Sequence, residues 1–354
     1  MSDEELIVSR HGRIGRIRLN RPAALNSLTL NMVRLFTHAL ADFASDDEIC
    51  AVLVSGEGER GLCAGGDIRL LYEARGAEHH PYKQFWREEY RLNARIAAFE
   101  KPYVVFMDGI VMGGGVGISA HGNRRLVTER TRLAMPETSI GYIPDVGGAW
   151  LLTRRPGGGG AYMALTGAAV EAADAIFVGL ADMAIDSADI PELQTRLSGA
   201  GEVAELDEAL ARFARKPEPG SIEKNQDLLD AAMSGLRVED VVATLSAESS
   251  DFAKAAAARI LANSPTSVRL TYELLRRAAR AGSLEECLNN DYRAACALLA
   301  THDLYEGVRA AIIDKDRNPR WSPASLSEVE DATIARLLEG TGDTPPFPDG
   351  DEAP

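Results

Sequence analysis

The chain has 354 residues, 45% hydrophobic and 26% charged, and its 53 acidic against 38 basic residues leave a formal net charge of −15. This length exceeds that of a usual single domain, so one large domain with an appendage is expected. The charge excludes general affinity for nucleic acid or anionic membrane, although a few local Arg or Lys residues would still serve an anionic small molecule.

The start of the chain, Met1-Ser2-Asp3-Glu4-Glu5, is acidic and resembles neither a secretion signal nor a basic transit peptide. Residues 5–19 then alternate as two strands around a His11-Gly12 turn, and Asn20-Arg21-Pro22 ends the hairpin. Thr29 reads as an N-cap, followed by helical apolar spacing at Leu30, Val33, Leu35, Leu40 and Phe43. Residues 50–56 form a buried strand that runs into a glycine loop, and residues 82–99 form a charged amphipathic helix. Residues 102–107 are another buried strand, with a small-residue helix expected over 113–121. Short strands follow at 126–128 and 131–134. Gly157–Gly160 is expected to be a flexible connection; a phosphate loop would continue into Lys-Ser/Thr, where this chain has Ala161-Tyr162. The alternation of strand and helix to about residue 190 predicts a layered α/β core.

Beyond residue 190 the periodicity is helical, over 190–198, 203–215, 221–233, 238–262, 265–281 and 284–300. Ser264-Pro265-Thr266 opens one of these, with Pro in the first turn where its missing N–H costs nothing. The expected organisation is a core at 1–190, a helical region at 191–335 and a disordered acidic tail at 336–354. No apolar run reaches membrane-spanning length. Cys50, Cys63, Cys287 and Cys296 contain no C-x-x-C pair and read as free thiols of a reducing compartment, so the cytoplasm is the expected location.

Two glycine clusters, Cys63-Ala64-Gly65-Gly66-Asp67 and Met112-Gly113-Gly114-Gly115-Val116-Gly117, follow strands. Each can present bare backbone N–H groups to a developing oxyanion, and one such donor is typically worth about 3–4 kcal/mol of barrier. Downstream lie two carboxylates eight residues apart, Glu137 and Asp145, in Met-Pro-Glu-Thr-Ser-Ile-Gly-Tyr-Ile-Pro-Asp-Val-Gly-Gly. Carboxylates move protons or attack carbonyls, so the combination points to acyl chemistry. The six histidines show no metal-ligand spacing, Ser119 has no G-x-S-x-G elbow, and Cys63 reads as a packing residue.

These stretches, with Asn20–Leu28, Trp86-Arg87-Glu88-Glu89-Tyr90, Ser264–Ser267 and Glu306-Gly307-Val308-Arg309-Ala310, resemble the crotonase (enoyl-CoA hydratase/isomerase) superfamily over roughly residues 15–325. Within it the likeness is to the 3-hydroxyisobutyryl-CoA hydrolase branch. The resemblance implies a crotonase fold, a layered ββα-type spiral, with a helical C-terminal region. It implies oxyanion donors at the N–H groups of Gly66 and Gly114, and catalytic roles for Glu137 and Asp145. Substrate contacts are implied at Glu89, Arg69 and Ala64. Ala23 stands where the family prefers lysine.

Hydratases of the superfamily carry a second catalytic glutamate where this chain has Gly117, which disfavours simple hydration. The expected reaction is hydrolysis of a short 3-hydroxyacyl-CoA thioester, most simply 3-hydroxyisobutyryl-CoA in valine breakdown. An enoyl-CoA hydratase or isomerase is the alternative, and a non-catalytic interaction protein a third reading that would require loss of a carboxylate or glycine donor. No metal or redox cofactor is implied, CoA being part of the substrate. Glu137 may be written either as nucleophile or as general base on water, and residues alone leave both routes open, as they do the oligomeric state.

Overall fold

The computed structural model describes residues 4–77 and 79–348. Among the described residues nine strands are formed: β1 (Leu6–His11), β2 (Ile14–Leu19), β3 (Ala51–Gly56), β4 (Gly61–Cys63), β5 (Tyr103–Met107), β6 (Ile110–Met112), β7 (Arg124–Val127), β8 (Arg132–Ala134) and β9 (Met183–Ala184). The expected hairpin is present: β1 pairs antiparallel with β2, from Leu6↔Leu19 to His11↔Ile14, around Gly12 at φ +60°. A six-stranded sheet in the order β1-β2-β3-β5-β7-β9 continues in parallel from β2 onward. A second sheet orders β4-β6-β8.

The chain divides into two compact units, each built from three segments. The first comprises Met1–Gly66, Leu92–Leu133 and Val170–Ser221; the second comprises Asp67–Arg91, Ala134–Ala169 and Ile222–Pro354. This differs from the linear partition read from the sequence. The helices Ile190–Ser198 and Val203–Phe213, expected in the C-terminal region, belong to the sheet-bearing unit. Their Leu193, Leu197, Leu206 and Leu210 join Ile14, Ala51, Leu53, Val104, Phe106 and Leu126 of the strands in one buried cluster. A strand buries every second side chain, and amphipathic helices bury the face so presented.

Helix Leu30–Ser45 also lies in the first unit, and Thr29 caps it by accepting the Met32 N–H at 3.1 Å. It buries Met32, Val33, Phe36, Ala39, Leu40 and Phe43. Leu35, expected on that face, is exposed, because the 3.6-residue period carries Phe36 inward instead. The small-residue helix expected over 113–121 is regular only across Gly114–Gly117.

In the second unit the expected helices form with their caps: Ser250, Ser264 and Ser283 accept the N–H groups of Ala253, Ser267 and Glu286. The expected helix 238–262 is two, Val238–Ala247 and Asp251–Ala262, since Ser250 starts a second one. The expected helix 221–233 likewise breaks at Asn225. Gly157–Gly160 is not a loose connection. Helix Gly159–Thr166 begins within it, the Gly158 N–H donates to Asp230 Oδ1 at 2.8 Å, and a Cβ on Gly160 would run into the Leu152 carbonyl.

The acidic tail is also more ordered than its composition predicts. Helix Asp331–Glu339 covers its start. Lys83 meets Asp343 at 2.7 Å, Arg87 donates to the Thr344 carbonyl at 2.7 Å, and Asn289 exchanges two hydrogen bonds with the Phe347 backbone at 3.0 and 3.1 Å. Basic and amide side chains supply partners that composition alone cannot reveal. Residues 349–354 of the expected tail lie outside the described residues. Among the described residues no helix is long and apolar enough to cross a membrane.

Candidate active site

In the first unit, β4 delivers Ala64-Gly65-Gly66 and β6 delivers Gly113-Gly114. The Ala64 N–H donates to the Leu25 carbonyl at 3.0 Å, and the Gly65 carbonyl accepts the Leu28 N–H at 2.8 Å, which fixes the first loop. Gly65 has φ +101°, and a Cβ on it would lie 3.3 Å from the Met112 carbonyl and 3.6 Å from the Gly114 nitrogen. The two glycine loops therefore run side by side, closely enough that a Cβ on Gly115 would strike the Cys63 carbonyl. Gly114 is the first residue of its short helix, where an N–H has no intrahelical acceptor. Gly66, Gly114 and Ala64 are thus brought together, and Gly117 is buried at the end of the same helix.

In the second unit, Glu137 opens a 3₁₀ turn, Glu137–Ile140, that closes at Gly141 with φ +74°. The turn is held from both sides. A Cβ on Gly141 would run into the Asp303 backbone, one on Gly307 into Ile140, and the Ser264 N–H donates to the Thr138 carbonyl at 3.1 Å. This accounts for the glycine of the Glu306–Ala310 motif and for Ser264 at residue level: both fix the Glu137 turn.

Asp145 ends the loop that follows. Its Oδ2 accepts the Tyr90 hydroxyl at 2.7 Å and the Tyr142 hydroxyl at 3.1 Å. Trp86 stacks on Tyr142 with ring centroids 5.5 Å apart, and Tyr292 meets Tyr90 edge-on. Trp86, Glu89 and Tyr90 share the buried face of helix Pro81–Ala97. Behind Asp145, Gly147 donates its N–H to Asp291 Oδ2 at 2.9 Å. Five carboxyls are buried in this unit among the described residues: Glu89 (2% exposed), Glu137 (6%), Asp145 (5%), Asp291 (1%) and, behind the Glu137 turn, Asp303 (2%).

Burying a carboxyl disfavours its charged form, and a neighbouring negative charge adds to the penalty. Burial raises Asp145 to about 6, the two tyrosine hydroxyls offsetting part of it. Burial, followed by the Asp145 charge, holds Glu89 and Glu137 well above the usual carboxylate range. Asp291 is likewise raised by burial, partly offset by the Gly147 N–H. The Asp145 charge thus adds to the cost of ionising Glu89, Glu137 and Asp291. Glu89 Oε1, Glu137 Oε2 and Asp291 Oδ1 have no hydrogen-bond partner among the described residues. Of these, the unpaired atoms of Glu89 and Glu137 are what a substrate's polar groups would engage, whereas Asp291 lies behind Asp145 on the Gly147 N–H.

The structure brings Glu137, Asp145 and Glu89 together in one buried group. Arg69 lies exposed on the short helix Ile68–Glu73 and joins none of them. Tyr90, Tyr142 and Asp291 were not assigned roles from sequence. The two tyrosines lie within motif stretches, whereas Asp291 has a fainter signal: an acid on the apolar stripe Leu284, Cys287, Leu288, Tyr292, Ala295. Among the described residues no group of three or more His, Cys, Asp or Glu is disposed to hold a metal.

The family profile described as enoyl-CoA hydratase/isomerase matches residues 14–338. The chain is similar to the mitochondrial 3-hydroxyisobutyryl-CoA hydrolase of Danio rerio, 40% identical over 341 residues that cover 94% of this chain and 89% of that protein. The Homo sapiens protein of the same name is 37% identical over 346 residues, covering 96% and 89%. Among solved structures, a carnitinyl-CoA dehydratase from Mycobacterium thermoresistibile is 44% identical with a TM-score of 0.91, covering 96% of this chain and 98% of that one. An enoyl-CoA hydratase from Rhodobacter sphaeroides is 39% identical with a TM-score of 0.88 over the same shares. With its mixed α/β fold and helical C-terminal segments, the chain belongs to the enoyl-CoA hydratase/isomerase, or crotonase, family.

Proposed function

We propose that this protein hydrolyses the thioester of a short 3-hydroxyacyl-CoA, converting 3-hydroxyisobutyryl-CoA to 3-hydroxyisobutyrate and CoA. The observation that carries the reading is the buried pair Glu137 and Asp145, with Asp145 held by two tyrosine hydroxyls. Gly117 occupies the position where hydratases of the family keep their second carboxylate. The names of the similar curated relatives support the same substrate.

Backbone N–H groups of Gly66 and Gly114 stabilise the negative charge on the thioester oxygen. In one route the Glu137 carboxylate adds to the thioester carbon, CoA leaves as thiolate, and water cleaves the mixed anhydride to restore Glu137. In the other, Glu137 takes a proton from water as the water attacks the same carbon, and the tetrahedral intermediate collapses with CoA leaving as thiolate. Both need Glu137 ionised, against its own burial and the charge of Asp145. Binding the substrate's 3-hydroxyl to Asp145 or Glu89 gives a buried carboxyl a partner that a plain acyl group lacks, and so favours hydroxyacyl substrates. Ala64 lines the approach with its backbone, and Arg69, exposed and basic, suits a CoA phosphate. The four free cysteines fit a reducing compartment, where we place the protein in the cytoplasm.

The dehydratase and hydratase names of the similar solved structures favour a second reading, addition or removal of water at an enoyl-CoA double bond. Free-thiol release from 3-hydroxyisobutyryl-CoA, measured beside crotonyl-CoA hydration, separates the two. The expected result is CoA release without hydration, reduced at least ~10³-fold by Glu137→Gln. Hydration without CoA release would establish the second reading instead.

A further inference from the structure

Immediately after Asp145 the backbone turns left-handed twice, Val146 at φ +52° and Gly147 at φ +74°, before helix Gly148–Arg154 begins. For a β-branched residue this region is a genuine outlier, and such strain persists only where the surroundings over-determine it. One restraint is local: the Gly148 N–H donates to the Asp145 carbonyl at 2.7 Å. A second comes from 144 positions along the chain, where Asp291 Oδ2 accepts the Gly147 N–H at 2.9 Å.

We propose that Asp291 is a positioning residue for Asp145: by accepting the Gly147 N–H it locks the left-handed Val146-Gly147 turn that aims the Asp145 carboxylate at the two tyrosine hydroxyls. The inference rests on the hydrolase reading only for its kinetic readout.

Burial favours the neutral form of Asp291. It is 1% exposed on helix Leu284–Leu298, and the titratable groups that act on it or feel it are Asp145, Tyr90 and Cys287, none of them a cation. Its carboxyl is held well above the usual range by burial and by the Asp145 charge. In that form the side chain supplies an acceptor to Gly147 without setting a second negative charge against Asp145. An amide offers the same acceptor in nearly the same shape, while alanine offers none. The structure therefore separates the hydrogen bond from the acidity.

The test uses the full-length protein with Asp291→Asn and Asp291→Ala, assayed for kcat, KM and pH dependence on 3-hydroxyisobutyryl-CoA. Asp291→Asn is expected to keep kcat within about threefold and to leave the acid limb of the profile in place. Asp291→Ala is expected to lower kcat by about 30- to 100-fold, the scale of a misplacement near 1 Å, with KM changed far less. A wild-type rate for the alanine variant, an asparagine variant as damaged as alanine, or an acid limb displaced downward in asparagine would each overturn the proposal. Should the alanine variant not fold, the asparagine result decides alone: retention supports the proposal and loss overturns it. Carboxyl ¹³C NMR of Asp-labelled protein gives a readout independent of turnover, so that failure of the hydrolase reading is seen separately as a wild type that releases no CoA. The Asp145 titration should stay in place with asparagine and move to higher pH with alanine, as the tyrosine hydroxyls that lower it lose their aim. An unchanged midpoint in both variants would sink the proposal.

Discussion

Asp145 acquires its acidity from two opposed causes that can be varied one at a time. Burial lifts it to about 6 and the Tyr90 and Tyr142 hydroxyls pull it back. A donor to a carboxylate favours the charged form, so removing one raises the pKa. Tyr90→Phe should therefore move the acid limb of kcat/KM to higher pH, while Tyr142→Phe, whose bond is longer, should move it less. A limb that stays in place in both variants would show that Asp145 ionisation does not govern the reaction. The same coupling acts on Glu137, which the Asp145 charge pushes upward.

At the scale of elements, the turn carrying Glu137 depends on a helix start more than a hundred residues away. Ser264 Oγ accepts the Ser267 N–H at 3.2 Å and donates to the buried Asp303 at 2.6 Å, and its own N–H holds Thr138. Ser264→Ala removes both a cap and a bond to a charged group, and should cost ~2–3 kcal/mol in urea unfolding. A cost under ~0.5 kcal/mol would mean that Asp303 finds another donor. Ser264 also shows what local sequence can reveal. Caps at Thr29, Ser264 and the hairpin at Gly12 were legible because each is decided within four residues. So was the Glu137–Asp145 stretch, through its motif. Where a helix docks was not: the periodicity of 190–213 gives a buried face but not its partner, and that face joins the sheet. Asp291 was missed for the same reason, since its partner Gly147 is far away in the chain.

For the molecule as a whole, the buried carboxyls trade stability for chemistry. Asp145 moves from 3.8 to about 6 on folding, so the folded state binds the proton more tightly than the unfolded one. Stability is thus unaffected by this group below pH ~4, falls as pH rises from there through about 6, and the loss is worth ~3 kcal/mol once fully developed. Asp145→Asn should raise the melting temperature at pH 8 and lose that advantage toward pH 4; an equal gain at both would assign it to packing instead. On the acid side Glu306, held down to about 2 by Arg309, keeps its stabilising charge until pH falls toward that value. The interleaving of the two units has a further consequence, for the order in which the chain matures during synthesis. The last segment of the sheet-bearing unit ends at Ser221, so its strands and both glycine loops can be in place while the ribosome is still adding the rest. Glu137 and Asp145 emerge earlier than that, yet Ser264, Asp291 and Gly307, which hold their loops, come from the final segment. The loops that carry the two carboxylates therefore gain their last supports only as the final helices are made.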